Sequence, residues 1–187
     1  MKYGSATVTG VINAPREKLF EIVSDVTRHV QMAGSGEIQR VEWVTALPVR
    51  VGSKFKAVQK IGMEYPTQST IAVYELNRAF VWFSGRSGQP PFGEYWGFEF
   101  ESLGPNKTRV YHGMCVPLPL PNILPFTWVA DRGALHEVNN MKPTFQKLAA
   151  MAGSTLEGEL EVELSPLCSL SKILKLGNAP CGSVVVN

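Results

Sequence analysis

The chain has 187 residues, with 18 Lys and Arg against 16 Asp and Glu for a formal charge of +2. That length supports one domain with a substantial core rather than two, and a nearly balanced charge with no long basic run argues against a nucleic-acid partner. No stretch reaches the eighteen or so uninterrupted apolar residues of a membrane span, and the opening MKYGSATVTGVINAPREK has no apolar signal core, so a soluble, cytoplasmic protein is expected.

Residues 6–12 alternate as a half-buried strand does, and Pro15 with Glu17 then marks a helix start. A short helix with Leu19, Phe20, Val23 and Val26 on its apolar face should follow, and a second helical stretch over 27–32 should end at Gly34. From Glu37 the pattern switches to period two, predicting strands over 38–45, 54–61, 67–76, 79–84, 94–101 and 108–116. Short connections such as Asn77-Arg78 and Gly104-Pro105-Asn106 imply antiparallel neighbours. Two connections are longer, Gly85–Gly93 (GRSGQPPFG) and Pro117–Pro125 (PLPLPNILP), and are expected either as lips of an opening or as ordinary connectors.

The one long segment of helical periodicity is Phe126–Ala152. Ala134, Val138, Met141, Phe145, Leu148 and Ala152 form one apolar stripe, while the first half of the helix, with Thr127, Asp131, Arg132, His136, Asn139 and Asn140, is polar. Pro143 removes a backbone donor, so a kink near Asn139 or Asn140 is predicted. In the last segment, 153–187, GELEVEL alternates like a strand, but the stretch carries no chemistry and is expected as an extension that packs across the core or mediates self-association. Cys115, Cys168 and Cys181 have no CxxC spacing, which argues against a thiolate zinc site. Cys168 and Cys181 could pair, but free thiols are expected of an intracellular chain.

This order of elements resembles the helix-grip fold of the START-like, or Bet v 1-like (SRPBCC), superfamily, most closely its polyketide cyclase/dehydrase branch. The resemblance rests on VTGVINAPREKLFEIVSD, VGSKFKAVQK, AVYELNRAFVWFSG and NKTRVYHGMCVPLP, and covers about residues 3–152. It implies an α+β domain, 1–152, in which a seven-stranded antiparallel curved sheet wraps a long C-terminal helix, with two short helices after the first strand. Residues 153–187 have no counterpart in it. The resemblance implies a hydrophobic small-molecule ligand and no cofactor; family members include both cyclases and non-catalytic carriers, so the site must decide function.

A sheet curled around that helix turns every second strand residue toward a cavity. By parity Trp96, Phe98 and Phe100 point one way, as do Val110, His112 and Met114, and Phe55, Ala57, Gln59 and Ile61 in a third strand. The ligand-binding set is therefore read as Gln59, Trp96, Phe98 and Met114, with Trp128, Arg132 and Leu135 at the helix end. His112 is the candidate proton carrier near neutral pH, the competing reading being a buried, hydrogen-bonded histidine. Tyr95 could donate its phenol to a ligand carbonyl, or simply pack on its strand. Asp131 completes the catalytic set, although it and Arg132 diverge by about 100° on a helix and cannot both face inward. Arg132, His136 and Asn140 share a helix face that lacks a second His or carboxylate at the right spacing, so no metal is expected. There is no GxSxG turn, which argues against a nucleophilic triad. The function these residues predict is a cofactor-independent cyclase or dehydratase of polyketide-like substrates, with a lipid or aromatic-ligand carrier as the alternative and homodimerisation as a possibility.

Overall fold

Alternating side chains become a curved antiparallel sheet in the computed structural model, which describes residues 5–85, 93–115 and 126–165, with the side chains of 61, 93, 126–134 and 165 excepted. The strands are β1 (Ser5–Ile12), β2 (Ile38–Trp43), β3 (Lys54–Ile61), β4 (Met63–Glu75), β5 (Ala79–Gly85), β6 (Gly93–Gly104), β7 (Lys107–Cys115) and β8 (Leu156–Ser165). They pair in the order β2-β3-β4-β5-β6-β7-β1-β8. Between β1 and β2 lie α1 (Arg16–Ser24), a single 3-10 turn (Val26–Arg28) and α2 (His29–Met32); α3 (Phe126–Met151) runs along the inner face of the sheet. The two loops expected to be lips lie outside the described residues.

The expected seven strands become eight. β8 falls within the segment expected to lie beyond the domain, and it hydrogen-bonds along β1 from Ser5↔Ser165 to Ile12↔Leu156. A bulge opposite Thr9 to Val11 absorbs the register shift, and Gly158 takes a φ of 69° there, a conformation costly for any residue with a Cβ. Glu157, Glu159, Glu161 and Glu163 are all exposed along β8, so the strand presents charge along what would otherwise be a bare edge.

Inward residues meet α3 through the stripe read from its periodicity. Val138, Met141, Phe145, Leu148 and Ala152 are each buried to 5% exposure or less and pack with Ile12, Phe80, Phe98 and Phe100. The helix continues through Pro143 from Phe126 to Met151. Gly10 on β1 allows its close approach, because a methyl at that position would come within 2.9 Å of Phe145 Cδ1 and 2.5 Å of Leu160 Cδ2. Gly10→Ala should therefore lower the unfolding free energy by about 1–2 kcal/mol in urea titrations, the usual scale for overpacking; an unchanged midpoint would show that the two side chains make room freely.

The expected free thiol at Cys115 is corrected. This residue ends β7, is fully buried and is disulfide-bonded, its partner lying outside the described residues. The expectation rested on compartment and sequence spacing, and neither measures how the fold brings sulfurs together. Among the described residues no helix is long and apolar enough to cross a membrane.

Candidate functional site

A cavity of about 140 Å³ lies between α2, α3 and the inner face of the sheet. An apolar cavity of about 150 Å³ accommodates benzene, whereas sites for drug-sized ligands run to about 300–1,000 Å³, so this one has room for a single ring or one end of a longer molecule. Its deep wall is Met32, Trp82, Phe98 and Met141, all buried, together with His29 and His112. Its wetter wall is polar: Glu37, Gln59, Tyr65, Glu94, Glu137 and Asn140, with Trp96 between the two.

Strand pairing positions His112. It lies opposite Phe98 in the β6–β7 ladder, and the two rings stack with centroids 3.9 Å apart and planes 4° from parallel. His112 Nδ1 lies 3.0 Å from the Gly97 carbonyl. A carbonyl only accepts, so Nδ1 carries the proton and the neutral ring has a bare Nε2. Burial pushes its pKa down to about 4, against a smaller upward pull from that hydrogen bond. The parity reading thus placed His112 at the cavity, but the ring stays neutral where the sequence suggested near-neutral titration. His29 repeats the arrangement from α2: its Nε2 donates to the Val23 carbonyl at 2.8 Å, its ring lies 5.2 Å from Trp82, and burial again lowers its pKa to about 4.

The group that titrates nearer neutrality is Glu94 on β6. Burial, with the Glu137 and Glu37 charges adding to it, pushes its pKa up to about 6, while the neighbouring Trp96 indole pulls the other way. Glu137 on α3 is also raised, first by burial and then by Glu37, although Asn140 Nδ2 donates to it at 3.2 Å. Tyr65 donates its phenol proton to Gln59 Oε1 at 3.1 Å, and Gln59 Nε2 donates to Thr67 at 3.3 Å. Burial and the same three carboxylates raise the Tyr65 pKa.

Of the residues singled out in the sequence, Gln59, Trp96, Phe98 and His112 meet at the cavity. Met114 is on the same face, paired with Trp96 across the ladder and buried in the core, but it does not line the cavity. Tyr95 is on the opposite face of β6: its ring packs 4.9 Å from Phe83 and joins the cluster around Val81. Adjacent strand residues point to opposite faces, so Tyr95 cannot share a cavity with Trp96, and its expected catalytic placement is corrected. Leu135 is also corrected, being half exposed on α3 and absent from the cavity wall. The side chains of Trp128, Asp131 and Arg132 lie outside the described residues. His136 is largely exposed, with Nε2 3.6 Å from Glu37 Oε1.

Sequence reasoning missed His29, Glu37, Glu94 and Glu137. Glu94 was within reach, because it has the same strand parity as Trp96 and Phe98. Glu137 precedes Met141 by one helical turn and so lies beside the apolar stripe. His29 and Glu37 carry no such local signal, since their placement depends on how α2 and the start of β2 dock onto the sheet.

No family model matches the chain. Uncharacterized protein Rv0088 of Mycobacterium tuberculosis strain H37Rv is 38% identical over 100 residues, which make up 53% of this chain and 42% of that protein. Uncharacterized protein MT0096 of Mycobacterium tuberculosis strain CDC 1551 is 37% identical over the same shares. The chain thus spans under half the length of the curated relatives it matches. Among solved structures, the Zhui aromatase/cyclase from Streptomyces sp. R1128 superposes with a TM-score of 0.59 at 12% identity, covering 80% of this chain and 93% of that one. The di-domain aromatase/cyclase BexL of the BE-7585A biosynthetic pathway gives 0.58 at 14%, over 80% of this chain and 45% of that one. Protein NE0264 from Nitrosomonas europaea gives 0.60 at 11%, over 80% and 94%. At such identities the common feature is the fold: a curved antiparallel sheet holding a C-terminal helix, the helix-grip arrangement, here with eight strands.

Proposed function

We propose that this chain binds a ring-sized hydrophobic molecule in its cavity and moves a proton on it, as a cofactor-independent cyclase or dehydratase. The observation that carries this reading is Glu94, a carboxyl lining the cavity beside the Trp96 and Phe98 rings, with its pKa raised to about 6. A general acid or base works best when its pKa lies near the working pH, and a buried, tuned carboxyl is a common way to reach that condition. The aromatic wall of Trp82, Phe98 and Trp96 would hold a ring in one orientation, lowering the entropic part of the barrier. The bare Nε2 of His112 would accept a hydrogen bond from a ligand hydroxyl and so orient it. Two of the fold neighbours are named aromatase/cyclases, which supports the reaction class.

A neutral, ring-sized probe tests the proton transfer. In 5-nitrobenzisoxazole a base removes the C3 proton, the C–H electron pair forms the nitrile, and the N–O bond breaks to give a coloured phenolate. The unmodified protein should open this ring with saturation kinetics, at a rate that rises with pH through about 6 and then levels, because the ionised Glu94 is the base. Glu94→Gln should cut the rate by about 100-fold, within the usual range for a general base. Turnover equal to that of the unmodified protein in this variant would overturn the assignment. A carrier role is the second reading, favoured because both cavity histidines are held neutral on backbone carbonyls. Native mass spectrometry distinguishes it: a carrier would release a retained molecule unmodified.

A further inference from the structure

Three carboxylates from three separate elements reach the cavity: Glu37 just before β2, Glu94 on β6 and Glu137 on α3. None of the described residues lining it is Lys or Arg. Glu137 accepts a bond from the neutral Asn140 amide, the Trp96 indole beside Glu94 favours its charged form, and the exposed His136 stands 3.6 Å from Glu37. An independent observation comes from the deep wall. His29 and His112 are 3% and 5% exposed, and each uses one ring N–H on a backbone carbonyl. Among the described residues neither His29 Nδ1 nor His112 Nε2 has a partner, and both rings line the cavity. Tyr65 gives its only proton to Gln59. The described lining therefore carries three carboxylates and two histidine acceptors with no cationic side chain to balance them, and its formal charge is negative.

These ring nitrogens border the cavity and can only accept, and the three carboxylates share it with no Lys or Arg among the described lining residues, so the occupant that fits is one that brings protons and positive charge. We propose that the ligand of this cavity is a ring-bearing organic cation, a protonated amine attached to an aromatic or alicyclic body. The proposal rests on the cavity being a ligand site and not on the proton-transfer step. The ring would occupy the space between Met32, Phe98 and Met141, and the ammonium would lie among the carboxylates, where the Trp96 and Tyr65 faces add cation–π attraction. A metal ion fits poorly, since no group of three His, Cys, Asp or Glu among the described residues is arranged to hold one. Fatty acids and other carboxylates would be repelled.

Three probes share the phenethyl body and differ in the charge of the headgroup: phenethylamine as the cation, 2-phenylethanol as the neutral form and 3-phenylpropionate as the anion. Titrated at pH 7 into the unmodified full chain, with tryptophan fluorescence or calorimetry as the readout, the amine should bind at least 10-fold tighter than the alcohol, with the carboxylate weakest. Glu137→Gln should reduce the amine preference several-fold without strengthening the alcohol. Equal affinities, or a preference for the alcohol or the carboxylate, would overturn the cation assignment while leaving the cavity as a ligand site. Failure of all three to bind would overturn both.

Discussion

Between pH 7 and pH 4 the folded state should lose about 4 kcal/mol of stability, mainly through two buried histidines. His29 and His112 both have folded pKa values lowered from 6.5 to about 4, in each case chiefly by burial. Across that window the unfolded chain takes up two protons that the folded chain refuses, so stability rises with pH between about 4 and 6.5. Each histidine contributes about 3 kcal/mol by this linkage. Glu94 acts in the opposite sense. Its folded pKa is raised from 4.5 to about 6, so the folded state binds its proton first, and acidification through that range returns about 2 kcal/mol. The raised Glu137 adds to this opposing effect. Glu17 and Glu101 are lowered, but both are exposed, and solvent screening makes them minor. Against a typical total of about 5–15 kcal/mol, a loss of that size is a large share of the stability and would bring a chain at the low end of the range close to unfolding by pH 4. Urea titrations at half-unit pH steps measure this directly. His29→Gln or His112→Gln should remove about one proton from the pH slope, and a stability flat from pH 7 to pH 4 would show that the two rings ionise freely within the fold.

The periodicities that were readable are those set by neighbouring residues. β3 falls where the alternation over 54–61 placed it, and the α3 stripe from Val138 to Ala152 is buried as its spacing required. Parity along β6 and β7 brought Trp96, Phe98 and His112 to one face. What failed was either nonlocal or a choice of chemistry over geometry. In β4 a register shift between Ile71 and Val73 breaks the period-two pattern, so that Ile71 and Tyr74 both belong to the core; alternation alone cannot cross such a bulge. The strand character of GELEVEL was visible, but its partner is β1, about 150 residues away in sequence. Tyr95 has a phenol suited to a ligand carbonyl, but the parity that turns Trp96 toward the cavity turns Tyr95 away, and the same parity turns Glu94 inward. The depressed pKa of His112 arises from the Phe98 ring and the surrounding core, which no single segment encodes.

Gly34→Ala should cost about 3–4 kcal/mol and open the cavity, a larger effect than any single surface change. The backbone at Ala33 and Gly34 docks directly onto α3: Gly34 N–H donates to Thr144 Oγ1 at 2.9 Å, and Lys147 Nζ donates to the Ala33 carbonyl at 2.6 Å. Thr144 in turn donates to the Asn140 carbonyl at 3.3 Å, next to Pro143, whose missing N–H leaves the ladder one donor short. A Cβ on Gly34 would collide with the Asn140 carbonyl oxygen and come within 2.8 Å of the Thr144 nitrogen. These are backbone atoms of a helix and cannot rotate aside, so the loop must retreat. Overpacking of this kind costs about 1–3 kcal/mol, and each hydrogen bond lost adds about 1 kcal/mol. Gly34, Asn140 and Thr144 all line the cavity, so the retreat should also weaken phenethylamine binding. Gly36→Ala supplies the contrast. Gly36 has a φ of 69° with nothing within 4 Å of its added Cβ, so that variant should cost about 1–2 kcal/mol from backbone conformation alone and leave binding intact. Urea midpoints and probe affinities for the two variants separate the effects, and a Gly34→Ala protein within 1 kcal/mol of the unmodified chain would show that this contact does not hold the loop closed.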